Sequence, residues 1–250
     1  WGEGLTYKTT DNGILITDER LAAQIYNKGK TGTTQEKGNL LLRPEEALYC
    51  DYRGDFELSD NERKKFISNN YTVYKDLKER GLIVKIDDSG LRVYDRKTET
   101  KGQASAIVLP KNFEEQIDFT NIFGELEKGL DRRVQIGIID SDKDVVYYVI
   151  KGMKWTETKL KEGQKSTITD DEVKELIEKG YQINSGLKFG THYRVYNYES
   201  NHAPWLIHVI KEGINWLDIA RMVRVGHGVN KTIVLAYKQK WLSIEWIKPW

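Results

Sequence analysis

Tyr196, His202 and Lys231 are the residues whose types and spacing could do chemistry. Tyr196 closes the short run Tyr193–Tyr196, His202 opens the apolar run Ala203–Ile210, and Lys231 stands before the apolar run Thr232–Tyr237. A tyrosine and a histidine thus meet across a hairpin-like connection, with a lysine about 30 residues further on. These types can serve as base, acid and cation, which is proton transfer beside a stabilised negative charge. A tyrosine phenol, with an ordinary pKa of about 10, is a weak base at neutral pH, and a neighbouring ammonium favours its ionised form. A histidine near 6.5 needs less tuning. The plain alternatives are a structural histidine at a strand start and a solvated surface lysine. His192, His208 and His227 fit that plainer reading.

Composition limits what else the chain can be. Its 250 residues suffice for one large domain or two to three small ones, and 39% hydrophobic with 31% charged residues is ordinary for a globular protein. A net charge of +1 gives no global basic field, so any nucleic-acid binding must use a local patch. Cys50 is the only cysteine, which rules out an intramolecular disulfide and a cysteine-based zinc site and fits a cytoplasmic location. No apolar run approaches 18 residues, so no membrane span is expected. No cofactor is expected either. Gly186–Gly190 lacks the spacing of a phosphate loop, and Asp218 and Glu245 do not form the acidic cluster of a metal nuclease. Asp140–Asp144 reads as a turn between strands.

The elements that must position the three residues follow from pattern. Asp11-Asn12-Gly13 turns between two short strands, and Thr17 can cap a helix through Ile25 that Gly29 stops. After a glycine-rich stretch over Gly29–Gly38 and the apolar Leu40–Leu42, Pro44 opens a helix ended by Gly54. Ser59-Asp60-Asn61-Glu62 is a capping box for a long helix through Phe66, Tyr74 and Leu77. Strands are expected at 82–86, 91–94, 104–109, 133–139 and 145–150, with a short helix around 117–126. Lys151–Ser166 is polar, without a period, and reads as a linker or arm. Thr169-Asp170-Asp171-Glu172 is a second capping box, followed by strands at 181–185, 193–196 and 203–210. Asn215 with Asp218 starts a helix through Val223, and strands at 232–237 and 242–247 close the chain.

The two halves repeat. Lys75–Gly81 matches Lys174–Gly180, Arg92-Val93-Tyr94 matches Arg194-Val195-Tyr196, and Val145–Ile150 matches the closing strand near Ile244–Ile247. Two copies of one small fold are expected. The copies differ where chemistry would matter: Ala104-Ser105-Ala106 stands against His202-Ala203-Pro204, and Arg132-Arg133 lies near the place of Lys231. The expected fold class is therefore α+β, a tandem repeat of a small mixed α/β nuclease-like fold with an N-terminal α+β module. The divisions expected are 1–58 for the N-terminal module, 59–151 for a catalytically silent repeat, 152–168 for a linker and 169–250 for a catalytic repeat.

At these residues the chain resembles the archaeal tRNA-splicing endonucleases. The likeness is carried by Arg80–Lys85 and its echo Lys179–Ile183, by Gly186–Gly190 leading to Arg194-Val195-Tyr196, by His202-Ala203 opening a strand, and by Arg224-Val225 seven residues before Lys231. Arg43–Tyr49 looks like the family's N-terminal module. The resemblance implies a homodimer whose subunit fuses a silent and an active copy, cutting precursor tRNA at a bulge–helix–bulge without a metal and leaving 2′,3′-cyclic phosphate and 5′-OH ends. It implies Tyr196 as base, His202 as acid and Lys231 as stabiliser. The step from Tyr196 to His202 is shorter than expected for the family, which leaves Tyr193, Tyr196 and Tyr198 open for the base, with Tyr196 favoured as the tyrosine of Arg-Val-Tyr. It further implies that Arg224 and Trp246 grip a bulge base between a guanidinium and a ring, one from each subunit, and that the Asp140–Asp144 loop docks into the opposing subunit. The competing reading is a non-catalytic RNA-binding or structural subunit of such a complex, which retention of all three residue types disfavours.

Overall fold

The computed structural model describes residues 7–94, 103–128, 133–159, 166, 168, 170–198, 201–211 and 213–248. Contacts divide the chain into two compact units. The first runs to Lys111 and includes Ile139–Val145; the second holds Asn112–Ile138 and Val146–Lys248.

In the first unit, strands β1 (Tyr7–Thr10) and β2 (Gly13–Ile16) form a hairpin, and helix α1 (Glu19–Gly29) follows. Its cap is Asp18, not the expected Thr17: the Asp18 carboxylate accepts from the amides of Arg20 and Leu21. Strands β3 (Thr33–Thr34) and β4 (Leu40–Leu42) complete a sheet of order β1-β2-β4-β3, and helix α2 (Pro44–Tyr52) packs on it around Ile14, Ile16, Ile25, Leu42 and Leu48. Cys50 lies in this core, its thiol pushed up to about 12 by burial, which removes it as a nucleophile. The long helix expected after Ser59 is two helices, α3 (Asp60–Phe66) and α4 (Asn69–Glu79). Ile67 turns extended and Ser68 acts as a second cap, its hydroxyl accepting from the Tyr71 amide. Strands β5 (Ile83–Asp87), β6 (Gly90–Tyr94) and β7 (Ala106–Asn112) then run antiparallel.

The second unit opens with helix α5 (Phe119–Lys128), strand β8 (Arg133–Ile139) and strand β9 (Val145–Met153). The stretch expected as a linker is built into the fold at its start. Strand β9 runs on to Met153, and Trp155 is 5% exposed in the core with Tyr181, Trp205 and Trp241 edge-on around it. Residues 160–165, 167 and 169, the last being the expected cap Thr169, lie outside the described residues. A single 3-10 turn, Asp171–Val173, leads instead into helix α6 (Lys174–Glu178). Strands β10 (Gln182–Ser185), β11 (Tyr193–Tyr196) and β12 (Trp205–Val209) are followed by helix α7 (Trp216–Gly228), which Asn215 caps through the Asp218 amide, and by β13 (Thr232–Tyr237) and β14 (Lys240–Ile247). The strand order is β10-β11-β12-β13-β14-β9-β8, with β12 parallel to β13. One face of β10–β13 carries Ile183, Tyr193, Val195, Ile207 and Val234 into the core with Trp155 and Leu176. Helix α7 covers the opposite face, where a Cβ on Gly226 would meet Ile233 at 2.8 Å. The α+β class read from the sequence therefore holds.

Candidate active site

Strand register brings the three candidate residues to one end of β11, β12 and β13. Val195 pairs with Trp205 in antiparallel register, and Trp205 pairs with Thr232 in parallel register. One step further along these registers, Tyr196, Pro204 and Lys231 stand side by side. His202 sits two residues before Pro204 and is exposed. The parallel pairing is decisive: it aligns the starts of two strands far apart in sequence, so the residues that precede each of them share one edge.

Local structure fixes Lys231 closely. Just past the end of α7 the chain passes through a left-handed residue, Asn230 (φ 53°), and the Lys231 amide turns back to the Gly226 carbonyl at 2.9 Å. The Thr232 amide donates to the Pro204 carbonyl at 3.0 Å. The Lys231 ammonium donates to the Ala203 carbonyl at 2.5 Å, which ties it to the residue next to His202. Partial burial and the Arg194 guanidinium lower the Lys231 pKa from the ordinary lysine value. Its Nζ lies 5.8 Å from the centroid of the Phe189 ring, which the 3-10 turn Leu187–Phe189 presents.

The three tyrosines separate by face and exposure. Side chains alternate along β11, so Tyr193 and Val195 enter the core while Arg194 and Tyr196 face the α7 side. The Tyr193 hydroxyl donates to Asp170 at 2.6 Å, and burial with this carboxylate raises its pKa. Tyr193 is thereby committed to the core. Tyr198 lies beyond the strand and is 48% exposed. Tyr196 shares the register row and the sheet face of Lys231.

The sequence profile of the tRNA intron endonuclease catalytic C-terminal domain matches residues 51–147 and 172–246, together more than half of the chain. The chain belongs to the tRNA intron endonuclease family. Among its relatives, the tRNA-splicing endonuclease of Pyrococcus horikoshii is 43% identical over 82 residues, covering 30% of this chain and 48% of that protein. The tRNA-splicing endonuclease of Pyrococcus furiosus is 32% identical over 130 residues, 49% of this chain and 71% of that one. That of Thermoplasma volcanium is 26% identical over 261 aligned positions, 84% and 85% of the two chains. The match thus spans about half the length of the P. horikoshii protein and most of the T. volcanium protein. The two separate segments matched by one domain profile fall on either side of the stretch 148–171.

Within this family member, the two residues expected to grip RNA lie around Tyr148. Arg224 is exposed on α7 and its charge acts on the buried Tyr148 phenol, lowering a pKa that burial raises. Trp246 pairs in register with Tyr148, is 44% exposed, and meets His227 edge-on at 5.1 Å. Trp246 is therefore a surface aromatic. Among the described residues no group of three or more His, Cys, Asp or Glu is placed to hold a metal ion, and no helix is long and apolar enough to cross a membrane. Sequence reasoning missed two residues around Lys231. In the sequence Arg194 stands out only as part of the Arg-Val-Tyr motif, and Phe189 only as part of a turn. The i, i+2 spacing of Arg194 and Tyr196 was the available signal, since it puts both on one face.

Proposed function

We propose that this protein is a tRNA-splicing endonuclease that cuts precursor tRNA at the bulge–helix–bulge of its exon–intron junctions. The observation that carries the reading is the register row of Tyr196, Pro204 and Lys231, with His202 two residues away and the Lys231 ammonium on the Ala203 carbonyl. Tyr196 takes the proton of the ribose 2′-OH. The 2′-oxygen attacks its own phosphorus, and the bond to the 5′-oxygen breaks as His202 delivers a proton to it. Lys231 faces the charge that builds on the phosphoryl oxygens. The Ala203 carbonyl takes only one of the three ammonium protons, so the others remain for the phosphate. A cation held in place before reaction gains most from transition-state charge. The products are a 2′,3′-cyclic phosphate and a 5′-OH, and the side chains supply every proton transfer, so no metal is needed.

The repeated sequence extends this reading. The chain is a tandem repeat, silent over 59–151 and catalytic over 169–250, with 1–58 as an N-terminal module and 152–168 connecting the repeats. One active copy per chain implies a two-fold homodimer to reach both splice junctions. In it Arg224 of one subunit and Trp246 of the other sandwich a bulge base, while the Asp140–Asp144 loop docks on the partner. The location is cytoplasmic.

Cleavage of a bulge–helix–bulge RNA in excess EDTA, with the new ends mapped, tests the chemistry. Cyclic phosphate and 5′-OH ends are expected. Activity that returns only with a divalent ion, or 5′-phosphate ends, would overturn it. Light scattering should give about twice the 29.0 kDa chain mass. A monomer that cuts both junctions would refute the dimer.

A further inference from the structure

On the α7 side of the sheet, just past Phe189, lies a cavity of about 520 Å³, within the size range of ligand sites. Phe189 both lines this cavity and sits 5.8 Å from the Lys231 Nζ. One aromatic ring therefore separates the cavity from the cation assigned to the transition state.

The cavity wall is chemically mixed in a particular way. His192 and His208 lie in it with ring centroids 4.4 Å apart, edge-on at 63°. The Nδ1 of His192 accepts the Val209 amide at 3.2 Å, which fixes that ring. The Nδ1 of His208 is buried without a hydrogen-bond partner. Burial and the adjacent His192 bring the His208 pKa down to about 4, so the ring is neutral at neutral pH. A buried, unpaired ring nitrogen is costly, and a polar ligand group would satisfy it. Val225 adds apolar surface, and Lys211 and Arg221 add exposed cations. Asp218 also lines the cavity and, among the described residues, is the carboxylate that meets Arg221, at 3.7 Å, which leaves the guanidinium largely available.

An aromatic and aliphatic wall, two neutral imidazoles and two exposed cations match the parts of a nucleotide. The wall takes a base by stacking, the imidazoles take polar edges, and the cations take a phosphate. We propose that this cavity is a nucleotide subsite that holds one unpaired nucleotide of the RNA next to the cleaved bond, with its base against Phe189 and Val225 and its phosphate at Lys211 and Arg221. This deepens the endonuclease reading and rests on it for the identity of the RNA.

The test uses a bulge–helix–bulge RNA carrying 2′-deoxyribose at both cut positions, so that binding is read without cleavage. Val225→Trp fills the cavity from an exposed helix position, and Arg221→Gln removes one cation. Val225→Trp should weaken binding about 10-fold, the scale of losing one stacked base. Arg221→Gln should lower the slope of log affinity against log salt by about one. An abasic substitution at one bulge position should weaken the wild type by a similar factor and leave Val225→Trp unaffected. Three results would overturn the subsite: wild-type affinity in both variants; abasic losses that are equal in wild type and Val225→Trp; or a dimer turned to monomer with RNA affinity unchanged, in which case a protein segment fills the cavity. If the all-ribose RNA is bound with this pattern but left uncut, only the catalytic assignment is overturned.

Discussion

The stretch from α4 to β7 and the stretch from α6 to β12 are built alike and finished differently. Each helix stops at a left-handed glycine, Gly81 (φ 80°) and Gly180 (φ 88°). The amide after each glycine returns to the helix, from Leu82 to the Leu77 carbonyl and from Tyr181 to the Leu176 carbonyl. The hairpins then pair in the same register, Val84 with Val93 and Ile183 with Val195. The differences lie at the strand ends. Strands β5 and β6 close through a tight turn between Asp87 and Gly90, whereas β10 and β11 are joined by the longer turn that presents Phe189. Tyr94 is 6% exposed, while Tyr196 is half-buried on the α7 side. Arg92 is ion-paired with Asp87, while the matching Arg194 donates through Nε to the Ser185 carbonyl at 2.7 Å and acts on Lys231. Shared backbone bonds set the two scaffolds, which differ at a few loop and end residues.

Breaking that difference directly should give the largest effects. His202→Ala or Lys231→Ala should lower the single-turnover cleavage rate by roughly 10²–10⁴-fold while RNA affinity stays near wild type. The stretch from α4 to β7 keeps the same scaffold without these groups, so folding should survive, as circular dichroism would check. The two faces of β11 provide a sharper contrast. Tyr196→Phe should lose a comparable factor in rate. Tyr193→Phe should keep the rate and lose at most ~1 kcal/mol of stability, because the hydroxyl bond to the exposed Asp170 is lost. Chemical denaturation and single-turnover rates on the same two variants separate the roles. Equal rate losses would mean that the face assignment fails.

A smaller effect concerns pH. The useful form of Lys231 is the ammonium, present below its folded pKa and lost as pH rises through it. That pKa lies below the ordinary lysine value, so the alkaline limb of the rate profile should fall earlier than for an unperturbed lysine. Arg194→Gln removes one of the two causes and should move the limb to higher pH. The smallest effect belongs to the β5–β6 hairpin. Asp87→Asn removes the Arg92 ion pair and should change stability by at most ~1 kcal/mol, with no change in cleavage.

Much of this was legible in sequence because the signals are local. Turn glycines, the Ser59 and Asn215 caps and the repeated Arg-Val-Tyr placed most elements. The misses have physical causes. Asp18 outcompeted Thr17 as a cap, and Ser68 broke a helix whose apolar spacing ran on without interruption. Trp155 anchored a polar stretch in the core, which composition conceals. The parallel pairing of β12 with β13, the exclusion of Tyr193 by Asp170 and the His192–His208 cavity are non-local, and no spacing in the chain announces them.

The central claim is that proton delivery to the leaving oxygen comes from one side chain at this strand end. His202→Gly with added imidazole tests it most directly, under single-turnover conditions on a bulge–helix–bulge RNA. The account predicts that the variant is nearly inactive and that imidazole restores cleavage at the native positions in proportion to its concentration. Near wild-type cleavage by the variant without imidazole would contradict it.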